Sequence, residues 1–97
     1  MIPLLEQHHL DLDRLCRKHL VRRLEVFGSA ADETFNPESS DLDFLVELNP
    51  GRTLLDLVGL RTELSQLFDR PVDVVTNDSL KPSLRSEVLR DAIAVIS

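Results

Sequence analysis

Two apolar runs, each joined to a short polar motif, most constrain what this chain can fold into. The first run ends at Gly28-Ser29, and the second begins directly after Asp41-Leu42-Asp43. Because strand side chains alternate between two faces, a strand here would place both carboxylates on one face and Leu42 with Phe44 on the other. Two neighbouring acids repel each other, so the pair predicts a bound cation, and the small-residue turn predicts a phosphate site that faces it.

Each motif has a plainer interpretation when it is taken alone. Gly-Ser is typical of a tight turn, and Asp-x-Asp is typical of the solvated start of a strand. Here both motifs stand between the same two apolar runs, separated by an insert whose last part, residues 36–40, consists largely of turn formers. The combination therefore favours a phosphate-binding turn that faces a metal-binding pair.

Length and charge limit the class of protein. The 97 residues suffice for one small domain, so we predict a single domain over residues 1–97. The formal net charge is -6, whereas affinity for a nucleic-acid backbone comes mostly from Lys and Arg. We therefore expect no direct binding of free RNA or DNA.

Several other groups are interpreted as structural. Cys16 is the single cysteine, so it cannot form an internal disulfide, and its spacing from nearby leucines predicts a core thiol. His8, His9 and His19 have no carboxylate at a matching spacing, which favours solvated or capping roles over a metal site. No apolar run approaches the ~18 residues of a membrane span, and the N-terminus carries charges where a signal peptide would be apolar. These features predict a cytoplasmic protein.

Hydrophobic periodicity predicts an alternation of helices and strands. The expected helices span residues 3–19, 29–35, 53–68 and 83–95, and the expected strands span residues 20–27, 41–48 and 72–75. A turn signal at residues 49–51 predicts a hairpin-like return. The order predicts an α/β (α+β) fold, a two-layer single domain in which helices cover a small mixed β-sheet.

The helix expected at residues 53–68 has the clearest local signals. Thr53 and Asp56 suit its first turn, and Gly59 within it predicts close packing against a neighbour. Its expected apolar stripe consists of Leu54, Leu57, Val58, Leu60, Leu64 and Leu67.

A third acid lies in the last expected strand. Residues 72–75 form a short β-branched run typical of a buried strand, and Asp73 interrupts it. Burying a carboxylate is costly unless it is paired or bound to a metal. Asp73 is therefore predicted to join Asp41 and Asp43, although pairing with Arg70 or exposure at a strand edge would also explain it.

Three segments resemble the nucleotidyltransferase domain of the DNA polymerase β superfamily. They are Gly28-Ser29, residues 40–46 (Ser-Asp-Leu-Asp-Phe-Leu-Val) and residues 71–76 (Pro-Val-Asp-Val-Val-Thr). The resemblance covers roughly residues 20–76, and the short chain is similar to the minimal nucleotidyltransferases known as MNT proteins. It implies the palm-like fold of polymerase β.

The resemblance also implies a site. In that family the acids of Asp-x-Asp hold two Mg²⁺ ions, a later strand acid completes the metal site, and the Gly-Ser turn binds the phosphates of a nucleotide. It therefore implies catalytic and metal-binding roles for Asp41, Asp43 and Asp73, and nucleotide binding by Gly28 and Ser29, with ATP as the substrate.

The sequence departs from the family pattern after the Gly-Ser turn. The Arg and Gly often found there are replaced by residues 30–33, Ala-Ala-Asp-Glu. Lys81, Arg85 or a basic group of a partner would then have to supply the missing positive charge near the phosphates.

The resemblance implies a function as well. Many MNT proteins are similar to antitoxins of HEPN-domain toxin ribonucleases, in which AMP is added to a toxin tyrosine. The implied activity is magnesium-dependent transfer of AMP from ATP to a HEPN toxin, within a homo- or hetero-oligomer, and the acidic charge suits a basic ribonuclease surface. Two alternatives stay open: a small-molecule enzyme similar to aminoglycoside adenylyltransferases, and an antitoxin that blocks its toxin by contact alone.

Overall fold

A four-stranded mixed sheet organises the described part of the chain, which comprises residues 2–32 and 34–96 of a computed structural model. The strands are β1 (Val21–Phe27), β2 (Leu42–Leu48), β3 (Val72–Thr76) and β4 (Ile93–Ile96), and their spatial order is β3-β2-β1-β4. The α-helices are α1 (Pro3–Gln7), α2 (His9–Lys18), α3 (Leu54–Phe68) and α4 (Pro82–Asp91). The predicted α/β fold with a small mixed sheet is confirmed.

The strand directions bring three chain segments to one end of the sheet, where β1 finishes and β2 and β3 begin. β1 pairs antiparallel with β2 and with β4, whereas β2 pairs parallel with β3. A parallel pair needs a crossover, and α3 supplies it. The turn at residues 49–51 therefore leads into a helix, so the predicted hairpin-like return is wrong. The last residue of β1 and the first residues of β2 and β3 therefore lie at the same end of the sheet.

Helix α3 begins and packs largely as predicted. The Thr53 backbone N–H donates to Asp56 Oδ2 at 2.8 Å, which forms the expected capping box. The buried residues of α3 run from its middle to its C-terminal end at a spacing of four: Leu60, Leu64 and Phe68. Leu54 and Val58, expected in the apolar stripe, are 77% and 57% exposed, because they precede the part of the helix that packs on the core.

Gly59 lies against α2, as its position predicts. A Cβ there would come within 3.2 Å of His19 Cε1. The His19 ring is largely buried and pairs with Glu63, which also accepts from Lys18 Nζ at 2.6 Å. The expectation that His19 is solvated is therefore wrong, since its ring joins α2 to α3, whereas the expected capping position is confirmed, because His19 is the C-cap residue of α2.

Cys16 lies in the core, as predicted. Its side chain is buried in α2, and burial, followed by the nearby Asp13 charge, raises the pKa of the thiol to about 11. The thiol therefore stays protonated at neutral pH, which suits a packing role and not a nucleophilic one.

The short helices differ from the sequence prediction. The single helix expected over residues 3–19 is interrupted at His8, whose ring packs edge-on against Phe68 with centroids 5.2 Å apart. In place of a helix over residues 29–35 there is one 3-10 turn, Gly28–Ala30, and Glu33 lies outside the described residues. The Asp32 side chain accepts from the Thr34 backbone N–H at 3.0 Å, a local turn that competes with a helix.

The end of the chain forms a strand where a helix was expected. α4 ends at Asp91, and β4 then pairs with the free edge of β1. Ile93, Val95 and Ile96 are β-branched, and the hydrogen bonds that β1 offers outweigh the apolar spacing that favoured a longer helix. Among the helices of residues 2–32 and 34–96, none has the length and apolar character needed to cross a membrane.

Candidate active site

Asp43 occupies the centre of the candidate site because of its place in the sheet. Its chain neighbours Leu42 and Phe44 are both 0% exposed in the core, so alternation directs the Asp43 side chain to the opposite face. Asp43 pairs with Phe27 of β1 on one side and with Asp73 of β3 on the other. The predicted alternation of acids and apolar residues in this segment is confirmed.

Gly28 brings the turn after β1 directly against this carboxylate. The residue has φ +67°, a conformation that side chains rarely adopt, and a Cβ added to it would lie 2.7 Å from Asp43 Oδ2. Ser29 follows within the same 3-10 turn, and Ala30 closes the turn into the core. The sequence pair that predicted a phosphate turn facing the acids is therefore adjacent to them in space.

The three predicted acids share this corner of the sheet. Asp41 directly precedes β2, and Asp73 lies beside Asp43 on the parallel neighbour strand. Asp73 is exposed, because β3 is the edge strand of the sheet. The expectation of a buried strand is thus wrong at this residue, and exposure at an edge, the alternative reading, accounts for how the charge is tolerated.

Burial and neighbouring carboxylates disfavour the charged form of Asp43. Partial burial raises the pKa of Asp43, and the neighbouring charges of Asp73 and then Asp41 raise it further. Within residues 2–32 and 34–96, none of the three acids forms an ion pair. Uncompensated oxygen ligands of this kind suit a hard divalent cation.

The acids do not form a closed metal cage. In the described ranges, no three His, Cys, Asp or Glu side chains stand close enough to hold one ion together. Magnesium keeps several waters and binds through one or two carboxylates plus substrate phosphates. The donor set therefore fits a magnesium ion held jointly with a nucleotide, with Asp43 as the best-placed ligand.

The basic residues expected to replace the missing arginine lie elsewhere. Lys81 and Arg85 follow the end of β3 that is remote from Asp73, and Arg85 donates to the carbonyls of Asn77 and Leu80 at 3.2 and 3.3 Å. The Ser40 hydroxyl, next to Asp41 in the chain, accepts from the Asn36 backbone N–H at 2.9 Å.

Arg70, which the sequence suggests only as a partner for Asp73, lies next to the site. Arg70 does not pair with Asp73, and its side chain donates instead to the backbone just before Asp41, at Ser40 O. The signal that could have identified it is its position in the Asp-Arg-Pro break immediately before β3, which places it at the same sheet edge as the acids.

A cleft of about 660 Å³ lies away from the acids, around the opposite end of the sheet. Leu45, Glu47 and Leu89 are among the residues that line it, whereas none of the three acids does. The acids therefore lie outside this cleft, and Asp41 and Asp73 are exposed to an approaching acceptor.

The crowding at Asp43 leads to a stability prediction. Because the folded chain binds the Asp43 proton more tightly than the unfolded chain does, stability falls as pH rises from the ordinary pKa through the raised one. At pH 7 the ionised group opposes folding, so Asp43→Asn is expected to raise the melting temperature of the metal-free protein by a few degrees. Adding Mn²⁺ should raise the melting temperature of the wild type but not that of Asp43→Asn.

Thermal denaturation with and without chelator measures both effects. Asp32→Asn is the matched control: hydrogen bonds from Thr34 lower the pKa of Asp32, so its neutralisation should not stabilise the protein. A lower melting temperature for metal-free Asp43→Asn would contradict the prediction.

Comparisons with known proteins identify the family of this chain. Residues 12–95 match the family described as "Nucleotidyltransferase domain". Over 79 residues the chain is 43% identical to "Putative protein adenylyltransferase MJ0435" of Methanocaldococcus jannaschii, which covers 81% of this chain and 84% of that protein.

Two solved structures share the fold. "Structure of putative minimal nucleotidyltransferase" superposes with a TM-score of 0.78 at 43% identity, covering 92% of this chain and 90% of that chain. A Shewanella oneidensis complex, described as a tri-AMPylated HEPN toxin with MNT antitoxin, gives a TM-score of 0.71 at 18% identity, over 96% of this chain and 72% of that chain. The chain therefore belongs to the nucleotidyltransferase domain family of enzymes, as a minimal member of the polymerase β superfamily with the fold of the MNT antitoxins that accompany HEPN toxins.

Proposed function

We propose that this protein transfers AMP from ATP to a hydroxyl of another protein, a tyrosine of a HEPN-type toxin, and thereby acts as its antitoxin. One observation carries the proposal: Asp43 lies between a glycine turn, where any Cβ would crowd its carboxylate, and a second strand carboxylate, Asp73. A close backbone turn facing paired acids is the arrangement that nucleotidyl transfer needs, because it presents triphosphate and cation to each other.

The carboxylates are assigned the metal-binding role. Asp41, Asp43 and Asp73 would hold Mg²⁺ ions through one or two carboxylates each, together with the nucleotide phosphates, and the ions would lower the pKa of the attacking hydroxyl and neutralise the leaving pyrophosphate. Asp43 is the central ligand, because the repulsion it shares with the other two acids is relieved by a cation. Binding should therefore stabilise the folded chain.

The remaining steps are assigned to this chain's own groups. The backbone at Gly28-Ser29 approaches the β- and γ-phosphates, where a larger residue would collide with Asp43. The tyrosine oxygen attacks the α-phosphorus, the bond from that phosphorus to the bridging oxygen breaks, and pyrophosphate leaves. Asp73, exposed on the edge strand, accepts the hydroxyl proton. Most of the rate enhancement then comes from positioning and electrostatics.

The exposure of Asp41 and Asp73 suits a macromolecular acceptor. The acids do not line the cleft of about 660 Å³, so a small acceptor bound in that cleft would not reach them. The net charge of -6 would attract the basic surface of a ribonuclease. The name of the Methanocaldococcus jannaschii relative and the AMPylated toxin in the Shewanella oneidensis complex support a protein acceptor.

The decisive experiment looks for labelled AMP on protein. The protein is incubated with Mg²⁺, ATP labelled at the α-phosphate and the product of the adjacent gene, and we expect label on that product at a tyrosine. Omitting the second protein and adding an aminoglycoside is the control. Label on the aminoglycoside, with none on protein, would favour the small-molecule enzyme and contradict the proposal.

A further inference from the structure

We propose that Arg70 is a positioning residue that holds the segment before Asp41 against the start of β3 and so sets the position of Asp41 relative to Asp43 and Asp73. Asp43 and Asp73 are register partners in the β2–β3 ladder, whereas Asp41 precedes β2 and lies outside that ladder. The segment before β2 must therefore be held in place by other contacts. The inference rests on the proposed function for the role of the acids, but not for the contacts of Arg70.

The side chain of Arg70 reaches from one segment to the other. Its Nη1 donates to Ser40 O at 3.3 Å, one residue before Asp41. Its guanidinium carbon lies 5.2 Å from the centroid of the Phe35 ring, in the same polar insert. A planar guanidinium can do both at once, since it stacks on a ring through its face and donates hydrogen bonds from its edge.

The base of the side chain is itself held in place. Arg70 Nε donates to Phe68 O at 3.3 Å, and Ser65 Oγ donates to Arg70 O at 2.8 Å. The Arg70 backbone N–H donates to Ser65 O at 3.3 Å. The residue is therefore anchored to the end of α3 before it extends to the insert.

A backbone contact continues the same junction. The Leu42 N–H, between the two acids of the motif, donates to Pro71 O at 3.3 Å. One β2 residue is thus bonded to the residue that directly follows Arg70. Loss of the Arg70 side chain would leave this bond and the β2–β3 ladder in place, but nothing that the structure describes at this junction would then hold the segment before Asp41.

The contacts indicate a geometric and not a neutralising role. In the part of the chain that the structure describes, the Arg70 guanidinium donates to carbonyl oxygens and forms no ion pair with an acid. Lys at this position would keep the charge but lose the planar fork and the stacking. Arg70→Lys therefore separates the two roles.

The test measures Mn²⁺ affinity directly, by electron paramagnetic resonance of free Mn²⁺ in the presence of a non-hydrolysable ATP analogue. Groups that orient metal ligands typically contribute ~10-fold or more to metal affinity, so we expect Arg70→Lys and Arg70→Ala to weaken Mn²⁺ binding about tenfold. Phe35→Leu, which removes the stacking partner, should give an intermediate loss. In transfer assays, Arg70→Lys should recover most of its activity at saturating Mn²⁺.

Arg61→Lys is the matched control, because Arg61 Nε also donates to a carbonyl at this junction, Val72 O at 3.1 Å, without touching the insert. It should leave Mn²⁺ affinity within twofold of the wild type. Wild-type affinity in Arg70→Lys, or an equal loss in Arg61→Lys, would overturn the inference while leaving the proposed function intact. No Mn²⁺ binding by the wild type would instead contradict both.

Discussion

Gly28→Val is expected to reduce AMP transfer by about a hundredfold or more, since small displacements of reacting groups cost this much. The new Cβ would lie 2.7 Å from Asp43 Oδ2, so either the turn or the central carboxylate must move. Valine at φ +67° is also strained by ~1–3 kcal/mol. Transfer of labelled AMP to the acceptor, with circular dichroism to check folding, measures the effect.

The chain contains a control that separates crowding from backbone strain. Gly51 also has a positive φ, +87°, but a Cβ there would meet nothing within 4 Å. Gly51→Val should therefore lower stability to a similar extent while transfer persists. Ser29→Ala should have a mild effect, because the backbone donors of the turn remain. If Ser29→Ala abolished transfer and Gly28→Val were tolerated, the assigned role of the turn would be wrong.

The double variant Asp41→Ala, Asp43→Ala is expected to abolish AMP transfer altogether. Without the metal ions, the transition state loses several kcal/mol of charge stabilisation. The activation free energy rises by that amount, and the rate falls about a thousandfold or more. After co-expression with the toxin, mass spectrometry should show AMP increments on the toxin with the wild type and none with the variant. An added phosphate places negative charge in a site that attracts RNA phosphates, so the unmodified toxin should stay active.

A variant with the same change in charge controls for electrostatic effects at a distance. Glu87→Ala, Asp91→Ala removes two exposed acids of α4 and should leave the AMP increments unchanged. If the variant Asp41→Ala, Asp43→Ala fully inhibited a toxin that carries no AMP, the catalytic mechanism would be wrong. Inhibition by contact alone would then be favoured.

Local patterns in the sequence were enough to predict the parts of the site that depend on neighbouring residues. Alternation across Asp41-Leu42-Asp43-Phe44 predicts which side chains enter the core, and Leu42 and Phe44 are fully buried. Gly28 marks a turn with a positive φ, and Thr53 with Asp56 marks the start of α3. Strand alternation, the turn and the helix start each depend on residues within a few positions of one another, so the local sequence is enough to predict them.

Only the tertiary structure decided which distant segments meet. The β-branched end of the chain became β4 because β1 had a free edge to pair with, and Asp73 is exposed because β3 is the outer strand. The bridge from Arg70 to Ser40 joins residues 30 positions apart. Periodicity along the chain records which face of an element is apolar, whereas strand order and pairing depend on long-range hydrogen bonds and packing that no local pattern contains.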